Sequence, residues 1–280
     1  MKLWKRLLAA FFTVVALALL LDAATAGSIR LTQYRVCCPN LPAAFDGLRV
    51  AQISDLHGAF LSDGGVSLAE SVSKAEPDLI AITGDLFDRD TELSLIEPAM
   101  ERLCRIAPVY YVSGNHEWTV SQRRTVWQDM ADAGVIFLEN DWVILERDGQ
   151  SIALVGLEDP NGPADMAAPA QVMERLREQG GSQLFTLLLY HRNDGLDTWA
   201  ELRVDLTLCG HGHGGLIRLP LIGGLADTDR GLFPKFDAGV YHKDAAAMVV
   251  SRGLGSNAGT FRLFNGPEIP VITLTLDDGG

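Results

Sequence analysis

The chain has 280 residues, of which 36 are Asp or Glu and 23 are Lys or Arg, so its formal net charge is -13, and 48% of its residues are hydrophobic. A chain this long and this apolar can bury a large core, which excludes intrinsic disorder for most of its length. The negative net charge argues against nucleic acid as a partner, because binding to a phosphate backbone needs a basic face. Bound metal ions can still attract a phosphate ester.

The N-terminus has the three parts of an export signal. Three basic residues precede a run of 15 uncharged residues, 7–21, that is apolar apart from Thr13, and the small-x-small triplet Ala24-Thr25-Ala26 follows it. This pattern predicts a signal peptide or an uncleaved signal anchor over residues 1–26. Since positive charges stay inside, the domain at 27–280 is expected outside the cytoplasm, either secreted or attached to the cell membrane through its N-terminal segment.

Short apolar segments alternate with helical patterns in the next part of the chain. Nearly continuous apolar segments that suit strands covered on both faces lie at 49–53, 78–83, 109–113, 185–190 and 204–209. Helical patterns at 66–75, 94–104 and 122–133 predict parallel strands joined by right-handed crossovers. Later segments at 142–146, 151–155, 247–251 and 271–276 lie among Gly-rich turns and predict antiparallel strands or a second sheet.

Polar residues that can bind metal follow each of the five core segments. They are Asp55 and His57, Asp85 and Asp88, Asn115 and His116, His191, and finally His211 and His213. If the strands are parallel, these groups emerge together at one carboxyl edge of the sheet. Asp55, Asp85 and Asn115 are spaced 30 residues apart, about one βα unit, and five of the six histidines belong to this set.

The spacing inside two of these motifs favours a shared metal. In extended backbone, the side chains of residues i and i+2 point the same way. Each of two pairs can therefore bind one ion, namely Asp55 with His57 and His211 with His213. Glycines on both sides of the paired histidines allow a sharp turn and a close approach of ligand to backbone. Any one such motif is weak, whereas five in this order make coincidence improbable.

With the blocks SDLHG, GDLFD, GNHE, LLYHRND and CGHGHGG in this order, the chain resembles the calcineurin-like metallophosphoesterase superfamily. Within it the chain looks most similar to membrane-associated bacterial phosphohydrolases that have a GHxHGG block, and the similarity continues through GLIRLP, SRGLG and FRLFNGPEIP. The resemblance implies an α/β fold, a four-layer sandwich of two mixed sheets flanked by helices, together with two divalent metals and phosphoester hydrolysis.

The resemblance also implies roles for individual residues. Metal one would be bound by Asp55, His57, Asp85 and His213, and metal two by Asp85, Asn115, His191 and His211. Asp85 is then the bridging ligand, His116 the catalytic histidine beside the phosphate, and Asp88 a residue that orients a ligand without binding metal.

The chemistry of this ligand set is independent of the family. Two cations about 3.5–4 Å apart bridge a water, and the resulting hydroxide attacks phosphorus in line while His116 assists the leaving oxygen. Mixed imidazole, carboxylate and amide ligands suit Mn, Fe or Zn better than Ca or Mg. The leader favours an envelope lipid phosphate as substrate. The alternatives are a broad phosphomonoesterase or phosphodiesterase acting on soluble esters, and a catalytically silent metal-binding membrane protein; no oligomeric state is predicted.

Two departures from the family pattern concern loops near the metals. His191 is followed by Arg192 and Asn193 where relatives often have a proline two residues on, which leaves the loop geometry open. Leu216 stands where close relatives often have glutamine, which affects a substrate contact and no metal ligand.

Other candidates have simpler structural interpretations. Glu117 is expected to be structural, and Trp118 either lines the substrate cleft or belongs to the core. Arg192, Arg218 and Arg230 have the geometry to contact a phosphate, with an exposed surface position as the alternative for each.

Overall fold

The computed structural model describes residues 2–25, 27–219, 221–226, 231–256 and 262–277. The helices of this part are α1 Lys2–Thr25, α2 Val66–Ser73, α3 Ile96–Cys104, α4 Arg123–Asp132, α5 Pro169–Glu178 and α6 Leu196–Glu201. The strands are β1 Arg30–Cys37, β2 Arg49–Ile53, β3 Leu79–Thr83, β4 Val109–Val112, β5 Ile136–Phe137, β6 Asp141–Arg147, β7 Gln150–Gly156, β8 Phe185–Leu189, β9 Leu206–Cys209, β10 Arg218–Leu219, β11 Gly223–Gly224, β12 Gly239–Lys243, β13 Ala246–Val250 and β14 Glu268–Thr275.

Two six-stranded mixed sheets form the centre of the fold. The first has the order β1-β14-β2-β3-β4-β5 and the second has the order β12-β13-β9-β8-β7-β6. In the first sheet β2, β3, β4 and β5 are parallel, whereas β14 runs antiparallel to β2 and β1 runs parallel to β14. In the second sheet β7, β8, β9 and β13 are parallel, and β6 and β12 are antiparallel edge strands.

Three hydrophobic clusters separate four layers. Along β3, Ile80 and Ile82 pack against α2 and α3, while the alternating Leu79 and Ala81 face the second sheet. The third cluster joins the second sheet to α5 and α6, where residues such as Trp199 are buried. Each large side chain buried in this way contributes about 1.5–3 kcal/mol of transfer free energy. The predicted four-layer α/β sandwich of two mixed sheets flanked by helices is therefore confirmed.

The five predicted core strands exist, but they do not belong to one sheet. Segments 49–53, 78–83 and 109–113 correspond to β2, β3 and β4 of the first sheet, and segments 185–190 and 204–209 correspond to β8 and β9 of the second. The expectation of a single sheet edge is therefore wrong. Buried Gln52 joins the two edges, because its side-chain amide donates both to Thr83 Oγ1 and to the carbonyl of Cys209.

The predicted export segment forms α1. Among the helices of the described ranges, none combines the length and the apolar character that a membrane crossing requires. The assignment of residues 1–26 as a signal or anchor stays a prediction.

Candidate metal centre

All the predicted site residues follow strands that end at one side of the two sheets. Asp55, His57, Asp85 and His213 form one group of potential metal ligands, and Asp85, His191 and His211 form a second group. Asp85 belongs to both groups. In each, the ligand atoms lie within 4.8 Å of one another, so the structure brings together residues as far apart in sequence as Asp55 and His213.

Left-handed turns, rather than extended backbone, orient the ligands. The φ angles are +49° at Asp55, +47° at His57, +51° at Asp85, +68° at His211 and +48° at His213. The interpretation of the i, i+2 pairs as extended chain is therefore wrong. Asp and His adopt positive φ more often than most residue types, and the tertiary structure holds all five of these ligands in that region.

The first group surrounds a small space between three loops. His57 Nε2 lies 3.2 Å from His213 Nε2 and 3.7 Å from Asp85 Oδ2. His213 Nε2 lies 3.5 Å from Asp55 Oδ1. All four side chains are buried, so a positive charge bound here would be shielded from water.

The second group is centred on the buried His191. Its Nε2 lies 3.3 Å from Asp85 Oδ2, 3.1 Å from Asn115 Oδ1 and 3.2 Å from His211 Nδ1. The half-buried Asn115 thus joins the group that its position in the sequence predicted.

The hydrogen bonds around the two groups fit metal binding. His57 Nδ1 lies 3.2 Å from Asp88 Oδ2, and His191 Nδ1 lies 2.9 Å from the carbonyl oxygen of Thr83. If a cation replaces the proton on each Nε2, the proton that stays on Nδ1 satisfies these acceptors and the Nε2 lone pair can bind metal. Nitrogen and carboxylate lone pairs this close repel one another unless a proton or a cation lies between them. Divalent cations therefore fit the residues present.

Asp88 Oδ1 also accepts hydrogen bonds from Thr91 Oγ1 at 2.9 Å and from the Asp90 amide at 3.0 Å. Asp88 is thereby fixed against His57, which is the geometry of a residue that orients a ligand.

The charges of the centre depend on one another. Burial opposes ionisation of Asp85, but His191 and then His57 outweigh burial and hold its pKa well below the ordinary value. Burial lowers the pKa of His213 to about 3, with Arg262 contributing in the same direction, although Asp55 opposes the shift. His213 is therefore neutral at pH 7, as a metal ligand must be.

Glu117 has a structural role, as the sequence predicted, because it joins two of the ligand loops. Its fully buried carboxylate accepts hydrogen bonds from the backbone N–H groups of Leu86, of Asp85 at 3.1 Å and of Gly114 at 2.8 Å. Burial, together with the charge of Asp85, raises the pKa of Glu117 to about 8. The GNHE block contained a signal for this role, since its acidic residue comes directly after the histidine that borders the centre.

Glycines allow these loops to approach each other. A Cβ on Gly84 would lie 2.6 Å from both Gly114 N and His191 Nδ1, and the φ of Gly84 is +86°. Only glycine fits here without displacing a ligand loop.

His116 borders the centre rather than joining either inner group. Its Nε2 lies 4.0 Å from Asp85 Oδ2, its ring packs edge-on against that of His57, and its amide donates to Asp85 Oδ1 at 2.9 Å. Burial lowers its pKa, although Asp85 acts in the opposite direction. About a quarter of the side chain is exposed, so His116 can reach a ligand that enters from solvent.

Comparison with known families decides the assignment. The family model for calcineurin-like phosphoesterases matches residues 48–215, which include every residue of both groups. The chain belongs to the calcineurin-like phosphoesterase family. Membership supports hydrolase activity and divalent-metal binding, whereas the narrower membrane-associated branch stays a prediction.

Several similar proteins bear related names. The chain is 28% identical to the Bacillus subtilis metallophosphoesterase YkuE, over 88% of this chain and 85% of that protein. It is also 28% identical to the Escherichia coli phosphodiesterase YaeI, over 81% and 82% of the two chains. A solved dimetal phosphatase from Danio rerio aligns with a TM-score of 0.46 at 12% identity, over 74% of this chain and 88% of that one.

The loop after His191 in this phosphoesterase is fixed without the usual proline. The guanidinium of Arg192 donates to both carboxylate oxygens of buried Asp159, at 2.8 and 3.1 Å, and Asn193 Nδ2 donates to the Phe236 carbonyl at 2.6 Å. Arg192 therefore helps to order this loop, and its contact with a phosphate stays a prediction.

Of the other arginines considered, Arg218 pairs with Asp237 at 2.9 Å and donates to the Gly214 carbonyl at 2.7 Å. Arg230 lies outside the described residues.

A second buried carboxyl lies beside the loop that holds Asn115. Glu158, two residues after β7, is 8% exposed and accepts a hydrogen bond from Ser113 Oγ; Ser113 Oγ in turn accepts one from Trp118 Nε1 at 2.8 Å. Burial raises the pKa of Glu158 from 4.5 to about 7. The folded phosphoesterase thus holds a proton here that the unfolded chain releases at lower pH.

Because the folded state binds this proton more tightly, its unfolding free energy is expected to depend on pH. Between pH 4.5 and about 7 the folded state binds more protons at Glu158, so its contribution to the unfolding free energy falls as the pH rises, by up to about 3 kcal/mol. Urea unfolding of the metal-free protein at pH 5 and pH 7.5 measures the change. In Glu158→Gln the dependence on pH should be weaker, whereas the exposed Glu101→Gln should match the wild type; equal slopes in all three proteins would contradict the assignment.

Proposed function

We propose that this protein is a dinuclear metal-dependent phosphohydrolase that cleaves a phosphoester or phosphoanhydride bond. The observation that supports it most directly is the position of Asp85, whose carboxylate is shared by two groups of buried ligands. One ion would be bound by Asp55, His57, Asp85 and His213, and the other by Asp85, Asn115, His191 and His211. Imidazole together with carboxylate and amide oxygen favours Mn, Fe or Zn.

Different groups of residues would have different roles in this reaction. Bound divalent cations would neutralise the phosphoryl oxygens and make water a nucleophile at neutral pH. Asp88 and the carbonyl of Thr83 fix the ring orientations of His57 and His191, so the ligands need not reorganise during the reaction. His116, partly exposed beside Asp85, is placed to hydrogen-bond a phosphoryl or leaving oxygen.

Metal-dependent hydrolysis is the direct test. The purified full chain, stripped with a chelator and reloaded with Mn²⁺, Fe²⁺ or Zn²⁺, is expected to hydrolyse p-nitrophenyl phosphate or bis(p-nitrophenyl) phosphate, and the stripped chain is expected to be inactive. The metal should also raise the melting temperature, because it binds only the folded state.

Two outcomes would count against the proposal. If the loaded chain hydrolyses no ester but still gains thermal stability from metal, the catalytically silent metal-binding alternative is favoured. If neither activity nor melting temperature responds to any of the three metals, the ligand assignment itself fails.

We further propose that the substrate is an envelope lipid phosphate, with the protein outside the cytoplasm and attached to the membrane through its N-terminal segment. The basic-apolar-small pattern of residues 1–26 supports this location. In the segment that follows His213, the side chains of Leu221, Ile222, Leu232 and Phe233 are each at least 60% exposed. Faster hydrolysis of a long-chain lipid phosphate in vesicles than of its short-chain soluble analogue would support a lipid substrate, and the reverse would favour soluble esters.

A further inference from the structure

A cavity of about 780 Å³ opens beside the metal centre, at the same edge of the sheets. It lies between the residues that follow β4, β5 and β7, three strands whose carboxyl ends point to the metal edge. Trp118, two residues after His116, lines it, so the loop that borders the metals also forms a cavity wall. The volume is typical of a site for a small molecule.

The lining combines flat aromatic rings and apolar side chains with charged and polar ones, Arg124, Glu139 and Asp141 among them. Trp118, Trp127, Phe137 and Met166 face the cavity. The rings of Trp118 and Trp127 meet edge to face, with centroids 5.2 Å apart, and Arg123 stacks over both indoles at 5.2 and 6.0 Å. The hydrogen bond from Trp118 Nε1 to Ser113 fixes one indole, so this surface is held rigid before any ligand arrives.

The cavity also contains a buried carboxyl. Glu158 lines it, and none of the described Lys, Arg or His side chains forms an ion pair with Glu158. Because burial brings its pKa to about 7, this carboxyl can both donate and accept hydrogen bonds at neutral pH. An acyl chain could not hydrogen-bond to this carboxyl, and burying the carboxyl against hydrocarbon would cost free energy.

We propose that this aromatic cavity binds a planar nitrogen heterocycle with ring N–H and C=O groups, such as a nucleobase, as one arm of the phosphoester substrate. The indole and phenyl rings provide stacking surfaces, and Glu158 pairs with the polar edge of the ring. The proposal rests on the proposed function, because it places the ring on the same molecule whose phosphorus lies at the metals, and it assigns the lipid part of that molecule to the other side of the phosphorus. It concerns a single nucleoside, so the acidic net charge that disfavours nucleic acid does not oppose it.

Binding to the stripped full chain tests the cavity independently of activity. Saturation-transfer NMR is expected to detect uridine or adenosine but not ribose. Ala131→Phe introduces a ring from an exposed position of α4 that lines the cavity, and should weaken nucleoside binding at least about tenfold. Trp127→Leu, which removes a stacking surface, should weaken it as well. Ala170→Phe, exposed on α5 and outside the cavity lining, is the matched control and should bind like the wild type.

The Mn²⁺-loaded chain tests whether ring and phosphate bind together. Uridine 5′-phosphate or adenosine 5′-phosphate should inhibit hydrolysis of bis(p-nitrophenyl) phosphate at least about tenfold more strongly than ribose 5-phosphate, and Ala131→Phe should remove the difference. Nucleosides that bind no better than ribose, or a cavity that selects octyl phosphate instead, would overturn the proposal even in an active enzyme. Nucleoside binding in a chain that hydrolyses nothing would leave the cavity assignment standing and refute the proposed function.

Discussion

Replacement of Asp85 by alanine is expected to lower kcat by more than about a hundredfold, because even residues that only orient metal ligands cost 10–100-fold when they are changed. Its Oδ2 lies within 4.0 Å of ring nitrogens of His57, His116 and His191, so one substitution disturbs both groups. Elemental analysis should show that both metals are lost or strongly depleted. Circular dichroism should show an intact fold, because the variant removes one of two buried carboxylates that repel each other.

The exposed Asp132→Ala in α4 is a suitable control and should retain both metals and full activity. Turnover that persisted in Asp85→Ala, or retention of two metals per chain, would show that this carboxylate does not bridge the centre. Loss of a single metal with partial activity would assign Asp85 to one group only.

The second large effect is expected at Glu117, whose hydrogen bonds go to backbone N–H groups of the ligand loops. In Glu117→Gln the amide NH₂ must replace one of two oxygens that accept from backbone N–H groups of the Asp85 and Gly114 loops. Donors would then face donors in a buried space, at a cost of about 1–3 kcal/mol. The loop that holds Asp85 would move away from the loop that holds Asn115. Metal affinity or activity should fall by about 10–100-fold, and the melting temperature by roughly 5 °C.

Glu101→Gln, on the exposed face of α3, provides the same chemical change without buried partners. To separate positioning from simple destabilisation, activity is measured well below the melting temperature across a series of Mn²⁺ concentrations. A positioning role requires that the apparent metal affinity weakens in Glu117→Gln; a variant that is less stable but has unchanged metal affinity and kcat would contradict it.

The sequence predicted which residues are the ligands better than it predicted how the strands that carry them are arranged in sheets. Strands β2, β3 and β4 were recognisable because both of their faces are buried, and the polar residues at their ends then had to share an edge. That β8 and β9 belong to another sheet does not follow from local hydrophobicity, since sheet membership depends on pairing between strands that are distant in sequence, such as β9 with β13.

Three other features had no readable pattern. The left-handed turns at Asp55 and His211 are imposed by tertiary contacts, for example the His211 amide, which donates to Asp55 Oδ1 at 3.0 Å. β1 was not predicted because its exposure alternates irregularly along an edge strand, where a hydrophobic pattern is weakest. The aromatic cavity could not be predicted from the sequence either, because only the pairing of strands in the sheet brings Trp118 and Phe137 together.

The direction of β1 has a consequence for how the chain enters the domain. β1 runs opposite to β2, so its first residue, Arg30, lies at the metal edge, only two strands or about 10 Å across the sheet from the chain leading to Asp55. The last residue of α1 is Thr25, and five residue steps span at most about 18 Å. The N-terminal helix is therefore tethered beside the mouth of the metal centre. A surface that holds this helix therefore holds the metal edge within reach, because the connection to the domain begins at the reactive side of the enzyme and not at the opposite ends of the strands.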